Sequence, residues 1–489
     1  MFRTYLWIPA VLLAASLTPA CALDLAISTQ NYGTSGLFTN PLIPGEKEIV
    51  KITVRATIAG DMPAQVAADI GILAPDGTAR HYPVQLTPGS GQATGTLEWK
   101  AWQNGLYRVV ATLDPDNALA ETNEQNNVAS LDLPVVVPGR RPHFPWFAER
   151  DCLRWATIWA GAIGRDNIAR WQERGVLPLA WKWGTNLPGE WSEDRIYEMM
   201  LNFGEASGGA VDECGYYPTP EGIERFQTYM RGMARAKKEL PDKFFMMWHS
   251  GSFYPEQAAL YRGACDLVVL ESYVFWYAAT GLYTENIYDY LDMKMLPARQ
   301  VDMLGATGRS RTQVITSVDL KPGAFNRGLM ENVIRHLRRK WPEMRGFGIY
   351  GGLVDPKAQA GEQAQGRADE QFVDRLCFEY FVKPVVTILP ENIWVTRGDD
   401  GRYLVEAAVS NIGGMDSGPV SVALYADGRP LKTTRVKTVP AGDTIFQNQV
   451  RVTADWHPQA GSHELQVRLD PAPGSTVLDA EAGVGYYTR

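Results

Sequence analysis

The stretch of sequence that decides the fold is Ser207-Gly208-Gly209-Ala210-Val211-Asp212-Glu213-Cys214-Gly215-Tyr216-Tyr217-Pro218. Its first half is small and apolar, as a strand covered on both faces requires, and the paired glycines let neighbouring backbones approach closely. Two adjacent carboxylates, Asp212 and Glu213, follow where this strand ends. Functional groups collect at the carboxyl ends of parallel strands in an α/β barrel. The stretch therefore predicts a buried parallel strand that delivers acidic side chains to a barrel mouth.

The segment around this stretch, from His143 to Lys383, alternates apolar runs with helical periodicity, which predicts βαβ units and a parallel sheet. Its roughly 240 residues fit a (β/α)8 TIM barrel. A doubly wound open sheet is the rival fold, but Gly161-Ala162-Ile163-Gly164 after the first predicted strand lacks the spacing of a phosphate-binding fingerprint. We expect an eighth strand either between Trp181 and Trp191 or near Met303.

Seven strands are predicted, at Trp155–Ala160, Val176–Trp181, Gly209–Glu213, Phe244–Trp248, Asp266–Glu271, Gln313–Val318 and Gly346–Tyr350. The predicted helices are Asp166–Arg174, Glu193–Phe203, Pro220–Lys238, Pro255–Gly263, Glu285–Met295, Ala324–Lys340 and Ala368–Tyr380.

β-structure is predicted on both sides of this segment. Polar and apolar residues alternate in several runs between Leu23 and Val137, as in an antiparallel sandwich. The acidic and Asn-rich run Asp114–Ala129 resembles the last hairpin of CARDB modules, which are bacterial immunoglobulin-like domains of secreted and surface proteins. Pro384–Arg489 repeats the pattern weakly, because in both copies a Trp and a Gly precede an alternating strand that ends in Leu-Asp-Pro. The resemblance implies a CARDB-like sandwich at each end. The hairpin is either a structured turn or a set of oxygen ligands for Ca²⁺.

The linker Val137–Pro142 marks the first boundary between these parts. We predict a signal peptide at residues 1–22, a CARDB-like β-sandwich at 23–138, a TIM-barrel domain at 139–383 and a second CARDB-like β-sandwich at 384–489. Each module is expected to bury its own core, so the barrel should fold without Pro384–Arg489.

The composition limits the partners. The 489 residues carry a formal net charge of −8, which argues against nucleic acids and anionic membrane surfaces as main partners. The six His are scattered, and the Cys beyond Cys21 do not cluster at metal-ligand spacing, so we expect no metal and no cofactor. The oligomeric state stays open.

The first residues predict export from a bacterial cell. Arg3 supplies a positive charge, and Leu6–Leu17 form an apolar run that is too short to span a membrane. Cleavage after Ala22 would release a soluble periplasmic or extracellular protein. The alternative is a surface lipoprotein that is anchored to the membrane through a lipidated Cys21, although Thr18-Pro19-Ala20 departs from the usual lipoprotein box.

Polar and aromatic residues follow most of the predicted strands and would meet at one mouth. They are Trp181 and Trp183 at the second predicted strand, Asp212 and Glu213 at the third, Trp248 and His249 at the fourth, Glu271, Tyr273 and Trp276 at the fifth, Asp319 at the sixth and Tyr350 at the seventh.

The Gly-Gly-Ala-Val-Asp-Glu strand end and the late run Met344–Gly352 resemble retaining glycoside hydrolases on TIM barrels, over about Asp151 to Tyr380. Chitinase-type strands end in D-x-D-x-E, which would place two Asp at Gly209 and Val211. Both are missing, which argues against substrate-assisted chitinase chemistry and leaves the family unassigned.

The resemblance implies glycoside hydrolysis by two carboxyl groups, of which one protonates the leaving oxygen and the other attacks the sugar or activates water. Neighbours on a regular strand point to opposite faces, so Asp212 and Glu213 cannot both enter the cleft equally. We expect Glu213 to be the acid/base and its partner to be Glu271, or Asp212 if the strand has already broken. The structural alternative for Asp212 and Glu271 is a buried, hydrogen-bonded strut.

The aromatic residues Trp181, Trp183, Trp248, Tyr273 and Trp276 are the candidates for stacking on sugar rings. His249, Asp319 and Tyr350 are expected to position the substrate. The leading hypothesis is thus a secreted glycoside hydrolase that acts on a polysaccharide or oligosaccharide. The alternative is a non-catalytic surface protein that binds carbohydrate or cell-wall components.

Overall fold

The computed structural model describes residues 23–28, 36–147, 154–161, 168–184, 191–215, 218–281, 286–305, 307 and 310–488. In chain order they form an antiparallel β part, a closed barrel of parallel strands with helices around it, and a second antiparallel part. This is the predicted multidomain architecture. The predicted signal peptide, with Cys21, lies outside the described residues, and the exact domain boundaries stay predictions.

The first part is an antiparallel sheet that folds over on itself. Its strands are β1 (Asp24–Ala26), β2 (Gly36–Asn40), β3 (Ile49–Ala59), β4 (Val66–Leu73), β5 (Ala79–Gly89), β6 (Gln92–Lys100), β7 (Gly105–Leu113) and β8 (Val128–Val135). They are ordered β1-β3-β6-β5-β4-β7-β8, with β2 on β3. The fold-over occurs at β5, which pairs with β4 along most of its length and with β6 at its end. The enclosed side chains, among them Val54, Trp99 and Tyr107, form a buried apolar core.

The Asn-rich hairpin of this part is a turn that is fixed by protein donors. The side-chain amide of Asn127 donates to Glu121 at 3.0 Å and to Glu124 at 3.1 Å. The backbone N–H of Leu25 donates to the other oxygen of Glu121 at 2.6 Å. The hairpin therefore ties β1 to the start of β8.

The central part is a closed barrel of eight parallel strands. They are β9 (Pro145–Phe147), β10 (Ile158–Gly161), β11 (Leu177–Lys182), β12 (Gly208–Val211), β13 (Phe244–His249), β14 (Leu267–Leu270), β15 (Gln313–Leu320) and β16 (Gly348–Gly351). They are hydrogen-bonded in chain order, and β16 closes the barrel on β9. The seven predicted strands and the (β/α)8 fold are confirmed.

The eighth strand is not where the sequence analysis placed it. It is β9, the first strand of the barrel, which precedes all seven predicted strands. β9 has only three residues and begins with Pro145, so it carries too little alternation to stand out as a strand. As a result Asp212 and Glu213 follow the fourth barrel strand, and Glu271 follows the sixth.

Helices cover the outside of the barrel. They are α1 (Ile168–Glu173), α2 (Glu193–Leu201), α3 (Pro220–Glu239), α4 (Ala258–Ala264), α5 (Val274–Thr280), α6 (Ile287–Gln300), α7 (Arg327–Lys340) and α8 (Ala360–Cys377). Short 3₁₀ turns lie at Glu124–Asn126, Pro138–Arg140, Pro255–Gln257 and Pro390–Asn392, and a π turn at Phe378–Val382. Seven helices match the predictions and α5 was missed. Within the described part of the chain, no helix has the length and apolarity that a membrane crossing needs.

The last part is a two-sheet sandwich. Its strands are β17 (Val385–Thr387), β18 (Ile393–Arg397), β19 (Tyr403–Asn411), β20 (Val420–Ala426), β21 (Arg429–Val436), β22 (Gln449–Trp456), β23 (Gly461–Pro471), β24 (Thr476–Asp479) and β25 (Glu481–Thr488). One sheet has the order β18-β19-β17-β24, with β22 on β19, and the other has the order β21-β20-β23-β25. Val405 and Val409 of one sheet share an apolar core with Val422 and Leu465 of the other.

The sandwich has its own core, but some of its residues also belong to the buried apolar cluster of the barrel part. Ile412, Met415 and Leu478 of the sandwich belong to the same buried apolar cluster as Trp341 and Met344 of the barrel part. Arg338 of α7 is 1% exposed. Its guanidinium donates to the backbone oxygens of Met344, at 2.6 Å, and of Ile412. The two parts are therefore packed as one unit.

Candidate active site

The register of β12 turns Asp212 toward the barrel interior. A Cβ on Gly209 would face Met200 of α2 and the stem of Lys182, on the helix side of the sheet. Because side chains alternate along a strand, Ala210 and then Asp212 face the opposite way. The indole N–H of Trp181, on the neighbouring strand, donates to Oδ2 of Asp212 at 3.1 Å. Oδ1 of Asp212 is buried and has no hydrogen-bond partner among the described residues.

Glu213 does not continue the alternation of β12. Its φ angle is 48°, in the left-handed region that non-glycine residues rarely adopt. The strand has thus already broken at Glu213, and both carboxylates can approach the mouth. Their charges act on the same neighbours, because Asp212 and Glu213 both raise the pKa of Glu271 and that of Tyr350. The structure therefore brings Asp212, Glu213 and Glu271 together.

Glu271 follows β14 directly and is held on two sides. Its side chain is 5% exposed, and the Tyr273 hydroxyl donates to its Oε1. The ammonium group of Lys294, on α6, donates to the backbone oxygen of Glu271 at 2.5 Å and to that of Gly251 at 2.9 Å. These contacts fix the position of the carboxyl group relative to the barrel wall.

Burial raises the pKa of Glu271 to about 7, and the charges of Glu213 and Asp212 add to that increase. The Tyr273 hydrogen bond and the Lys294 charge act in the opposite direction. Burial also raises the pKa of Asp212, while its bond from Trp181 lowers it. Glu271 is therefore a carboxyl group that keeps its proton up to near-neutral pH, beside two further carboxyl groups.

Aromatic rings form the walls of the mouth. The rings of Trp181 and Trp183 meet edge to face with centroids 4.4 Å apart, and Trp183 is 42% exposed. On the other side a cleft of about 390 Å³ is lined by Tyr273, Trp276, Tyr277 and Tyr350, among others. This volume lies within the range of about 300–1,000 Å³ that is typical of small-molecule sites.

Asp319 lies at this cleft but is already used within the protein. Its two carboxylate oxygens accept the backbone N–H groups of Phe275 and Trp276, each at 2.9 Å. These N–H groups belong to the first turn of α5 and have no partner inside the helix. Asp319 thus anchors α5 and, through it, positions Trp276, which is 37% exposed at the mouth.

His249 is not at the mouth, which corrects its predicted role in positioning the substrate. It is fully buried on the helix side of β13, where the Tyr261 hydroxyl lies 2.6 Å from Nδ1 and the Ser252 backbone oxygen 3.0 Å from Nε2. Burial lowers its pKa to about 4, so the ring is neutral at pH 7. His249 packs the strand against α3 and α4.

Trp248 faces the other way, into the barrel, and it is fully buried. Its ring lies 5.4 Å from that of Phe147 and 6.2 Å from that of Tyr350. It therefore forms the floor beneath the mouth and does not offer a face for stacking on a sugar. Its indole N–H is buried without a partner among the described residues.

Lys294 and Tyr277 lie at the site but were not predicted from the sequence. Tyr277 lies on α5, which was not predicted. The position of Lys294 could have been noticed in the sequence, because it is a single cation on an apolar helix face with Leu291 and Met295. In the part of the chain that the structure describes, no group of three or more His, Cys, Asp or Glu side chains could hold a metal ion.

The sequence pattern of the CARDB family matches residues 388–478. The C-terminal part is thus a CARDB domain, as the resemblance implied. No curated protein matches the chain.

Solved structures that resemble the chain include the CARDB domain of a Pyrococcus furiosus protein, with 25% identity, a TM-score of 0.19 and coverage of 24% of this chain and 96% of that chain. A Bacteroides uniformis β-glucuronidase shares 12% identity over 95% of this chain, with a TM-score of 0.32. A Paenibacillus cycloisomaltooligosaccharide glucanotransferase shares 10% identity over 91% of this chain and 70% of that chain, with a TM-score of 0.35. The present chain spans 62% of the length of the β-glucuronidase.

Proposed function

We propose that the barrel hydrolyses glycosidic bonds of a polysaccharide or oligosaccharide, with Glu271 as the general acid and Asp212 or Glu213 as the second carboxylate. The observation that carries the proposal is the pKa of Glu271, which burial raises to about 7 while two more carboxyl groups lie beside it. Environments that separate the pKa values of neighbouring carboxyl groups are what acid and base roles require.

In this proposal Glu271 gives its proton to the glycosidic oxygen as the bond between that oxygen and the anomeric carbon breaks. The second carboxylate attacks the anomeric carbon or removes a proton from the water that does so. Glu271 is suited to the first step because it is protonated below about pH 7 and is held by Tyr273.

Asp212 is the favoured second carboxylate, which is the alternative expected from the sequence for a broken strand, and Glu271 takes the acid role that the sequence assigned to Glu213. Strand alternation turns Asp212 into the barrel, and Trp181 holds one of its oxygens while the other has no partner within the described residues. Glu213, which the sequence favoured as the acid/base, remains the alternative carboxylate, and the support for it is that its charge raises the pKa of Glu271.

The substrate is proposed to be held by aromatic faces at the mouth. Trp183 and Trp276 are the exposed rings, and Trp181, Tyr273 and Tyr350 complete the walls around the carboxyl groups. Flat apolar faces with polar edges suit sugar rings, which have the same combination of surfaces.

The test is a hydrolysis screen of the full chain against a panel of neutral and charged polysaccharides, with release of reducing ends as the readout. Activity that disappears in Glu271→Gln but persists in Glu198→Gln, an exposed site on α2, would support the proposal. A wild type that binds a glycan on the panel without cleaving any would favour the non-catalytic carbohydrate-binding alternative.

Export in a bacterium is a second part of the proposal and rests on Arg3 and the apolar run Leu6–Leu17. The full gene and a Cys21→Ser variant are expressed and the cells are fractionated. This experiment distinguishes a membrane-anchored lipoprotein from a released soluble protein. A membrane-bound wild type and a released variant would indicate a lipoprotein, release of both would indicate a secreted soluble protein, and retention of both in the cytoplasm would refute export.

A further inference from the structure

The segment after β11 contacts the backbone that carries the two adjacent carboxylates of the mouth. Gly184, two residues after the end of β11, is buried. A Cβ on Gly184 would overlap the backbone oxygen of Asp212 and would lie 2.7 and 2.8 Å from the backbone carbon and oxygen of Glu213. Real Cβ atoms do not come within 3.0 Å of backbone atoms. Position 184 therefore accepts only a glycine while both segments keep their places.

The Gly184 side of this contact is anchored in the core. Tyr229 of α3 is fully buried, and its hydroxyl donates to the backbone oxygen of Trp183 at 2.5 Å. The ring of Trp183 in turn packs edge to face against that of Trp181. Because the residue before Gly184 is held in this way, we expect a side chain at position 184 to displace the carboxylate-bearing backbone after β12.

The backbone on the other side of the contact has an uncommon conformation. Glu213 has a φ of 48°, and such left-handed geometry in a residue other than glycine persists only where the surroundings impose it. The N–H group of Asp212 donates to a backbone oxygen of β11, and that of Cys214 to the backbone oxygen of Trp248, each at 3.0 Å. These bonds fix the residues on both sides of Glu213, and the contact with Gly184 confines the carbonyl groups between them.

We propose that Gly184 is a positioning residue for the hydrolysis, because its missing side chain lets the segment after β11 hold Glu213 in the left-handed conformation. Asp212 belongs to the same stretch of backbone, and its Oδ2 accepts from Trp181 at 3.1 Å. A shift of this backbone would therefore move both carboxylates. Gly184 acts through them and offers no functional group of its own. The inference rests on the proposed hydrolysis, in which one of these two carboxylates acts beside Glu271.

The first test is a double-mutant cycle in thermal stability, which needs no substrate. Gly184→Ala should lower the melting temperature of the full chain, because the backbone of Asp212 and Glu213 has to move. Glu213→Gly lets that backbone adopt other conformations without a steric cost, so the same alanine should lower the melting temperature less in this background. Equal losses in the two backgrounds would overturn the proposal. Should Gly184→Ala fail to fold, the double variant is expected to fold, and an unfolded double variant would overturn the proposal as well.

The second test is steady-state kinetics on a polysaccharide that the wild type cleaves. Gly184→Ala should lower kcat about 10²-fold, which is the loss that a displacement of about 1 Å can cause. KM should stay close to the wild-type value, because Tyr229 still holds the backbone of Trp183 and the exposed ring of Trp276 lies on the opposite wall. A general loosening of the mouth would instead raise KM.

Gly263→Ala is the matched control, because a Cβ on this exposed glycine of α4 would meet no atom within 4 Å. It should leave kcat and KM unchanged and should not lower the melting temperature. An unchanged kcat in folded Gly184→Ala, or a raised KM that accounts for the loss of activity, would overturn the proposal. A wild type that cleaves no polysaccharide would refute the proposed hydrolysis itself and this role with it, although the melting temperatures would still show whether Gly184 holds Glu213.

Discussion

The hydroxyl of Tyr273 donates a hydrogen bond to the carboxyl group of Glu271, two residues earlier in the chain. This bond favours the ionised form of Glu271 and lowers its pKa, against the larger effect of burial, which raises it to about 7. Tyr273 therefore has two effects at the mouth, since it orients the carboxyl group and also limits how far its pKa rises.

Replacing Tyr273 with Phe should move the alkaline limb of the pH–kcat/KM profile upward. The acid must be protonated, so activity is lost as the pH rises through the pKa of Glu271. Removing a hydrogen bond of about 1 kcal/mol that favours the ionised form raises that pKa by roughly 0.7 unit. Tyr277→Phe, at the same cleft, should leave the limb in place. A downward shift in Tyr273→Phe would show that the hydroxyl does not stabilise the carboxylate.

Glu271→Gln should stabilise the protein at pH 8 while it abolishes turnover. The folded-state pKa of about 7 exceeds the ordinary value of 4.5, so the contribution of Glu271 to stability is full below pH 4.5 and is lost as the pH rises through 7. A neutral amide avoids this cost, so we expect a gain on the order of 2 kcal/mol at pH 8 and little at pH 4. Denaturant unfolding at both pH values measures it, and an equal effect at both would contradict the raised pKa.

Asp212→Asn and Glu213→Gln should separate the two candidates for the second carboxylate. We expect kcat to fall by about 10²–10⁴ in the variant that removes the reacting group and far less in the other. The geometry predicts the larger loss for Asp212→Asn. Single-turnover kinetics on an active substrate measures both, and a larger loss in Glu213→Gln would restore the assignment made from the sequence.

The fold could be predicted because each barrel strand but one is an apolar run long enough to stand out. β9 was not predicted because it has only three residues, beginning with Pro145, which are too few to show the alternation of a strand. α5 was not predicted because its start depends on Asp319, 43 and 44 residues later than the Trp276 and Phe275 N–H groups that it accepts in the first turn. A capping residue on a different strand leaves no local signal in the sequence.

The candidate site was predictable to the level of strand ends but not of side-chain direction. Asp212, Glu213 and Glu271 were found because polar residues at the ends of apolar strands are conspicuous. His249 and Trp248 were assigned to the mouth on the same pattern. Because side chains alternate along β13, His249 points outward to the helices and Trp248 is buried inside the barrel. The break at Glu213 is a property of the backbone, a φ of 48°, and a Glu in the sequence does not predict such an angle.

His249→Gln should destabilise the protein without changing KM. The side chain bonds to Tyr261 and to the Ser252 backbone oxygen in a fully buried position, so its loss leaves buried polar groups without partners. We expect a cost of about 1–3 kcal/mol in the free energy of unfolding. Steady-state kinetics well below the melting temperature should give an unaltered KM, and a raised KM with unchanged stability would return His249 to the substrate site.

Removing the CARDB domain, Pro384–Arg489, should leave a barrel that aggregates or melts at a lower temperature, contrary to the expectation from the sequence. The deletion exposes the apolar surface that Ile412, Met415 and Leu478 cover, and it takes away the backbone oxygen that accepts from Arg338. Arg338→Ala in the full chain tests the second effect. It leaves the buried backbone oxygens of Met344 and Ile412 without their donor, which should cost about 1–3 kcal/mol, whereas Arg468→Ala on the domain surface should cost little. Size-exclusion chromatography and thermal melts decide the question. A monomeric truncation that melts like the full chain would show that the shared cluster contributes nothing to the stability of the barrel.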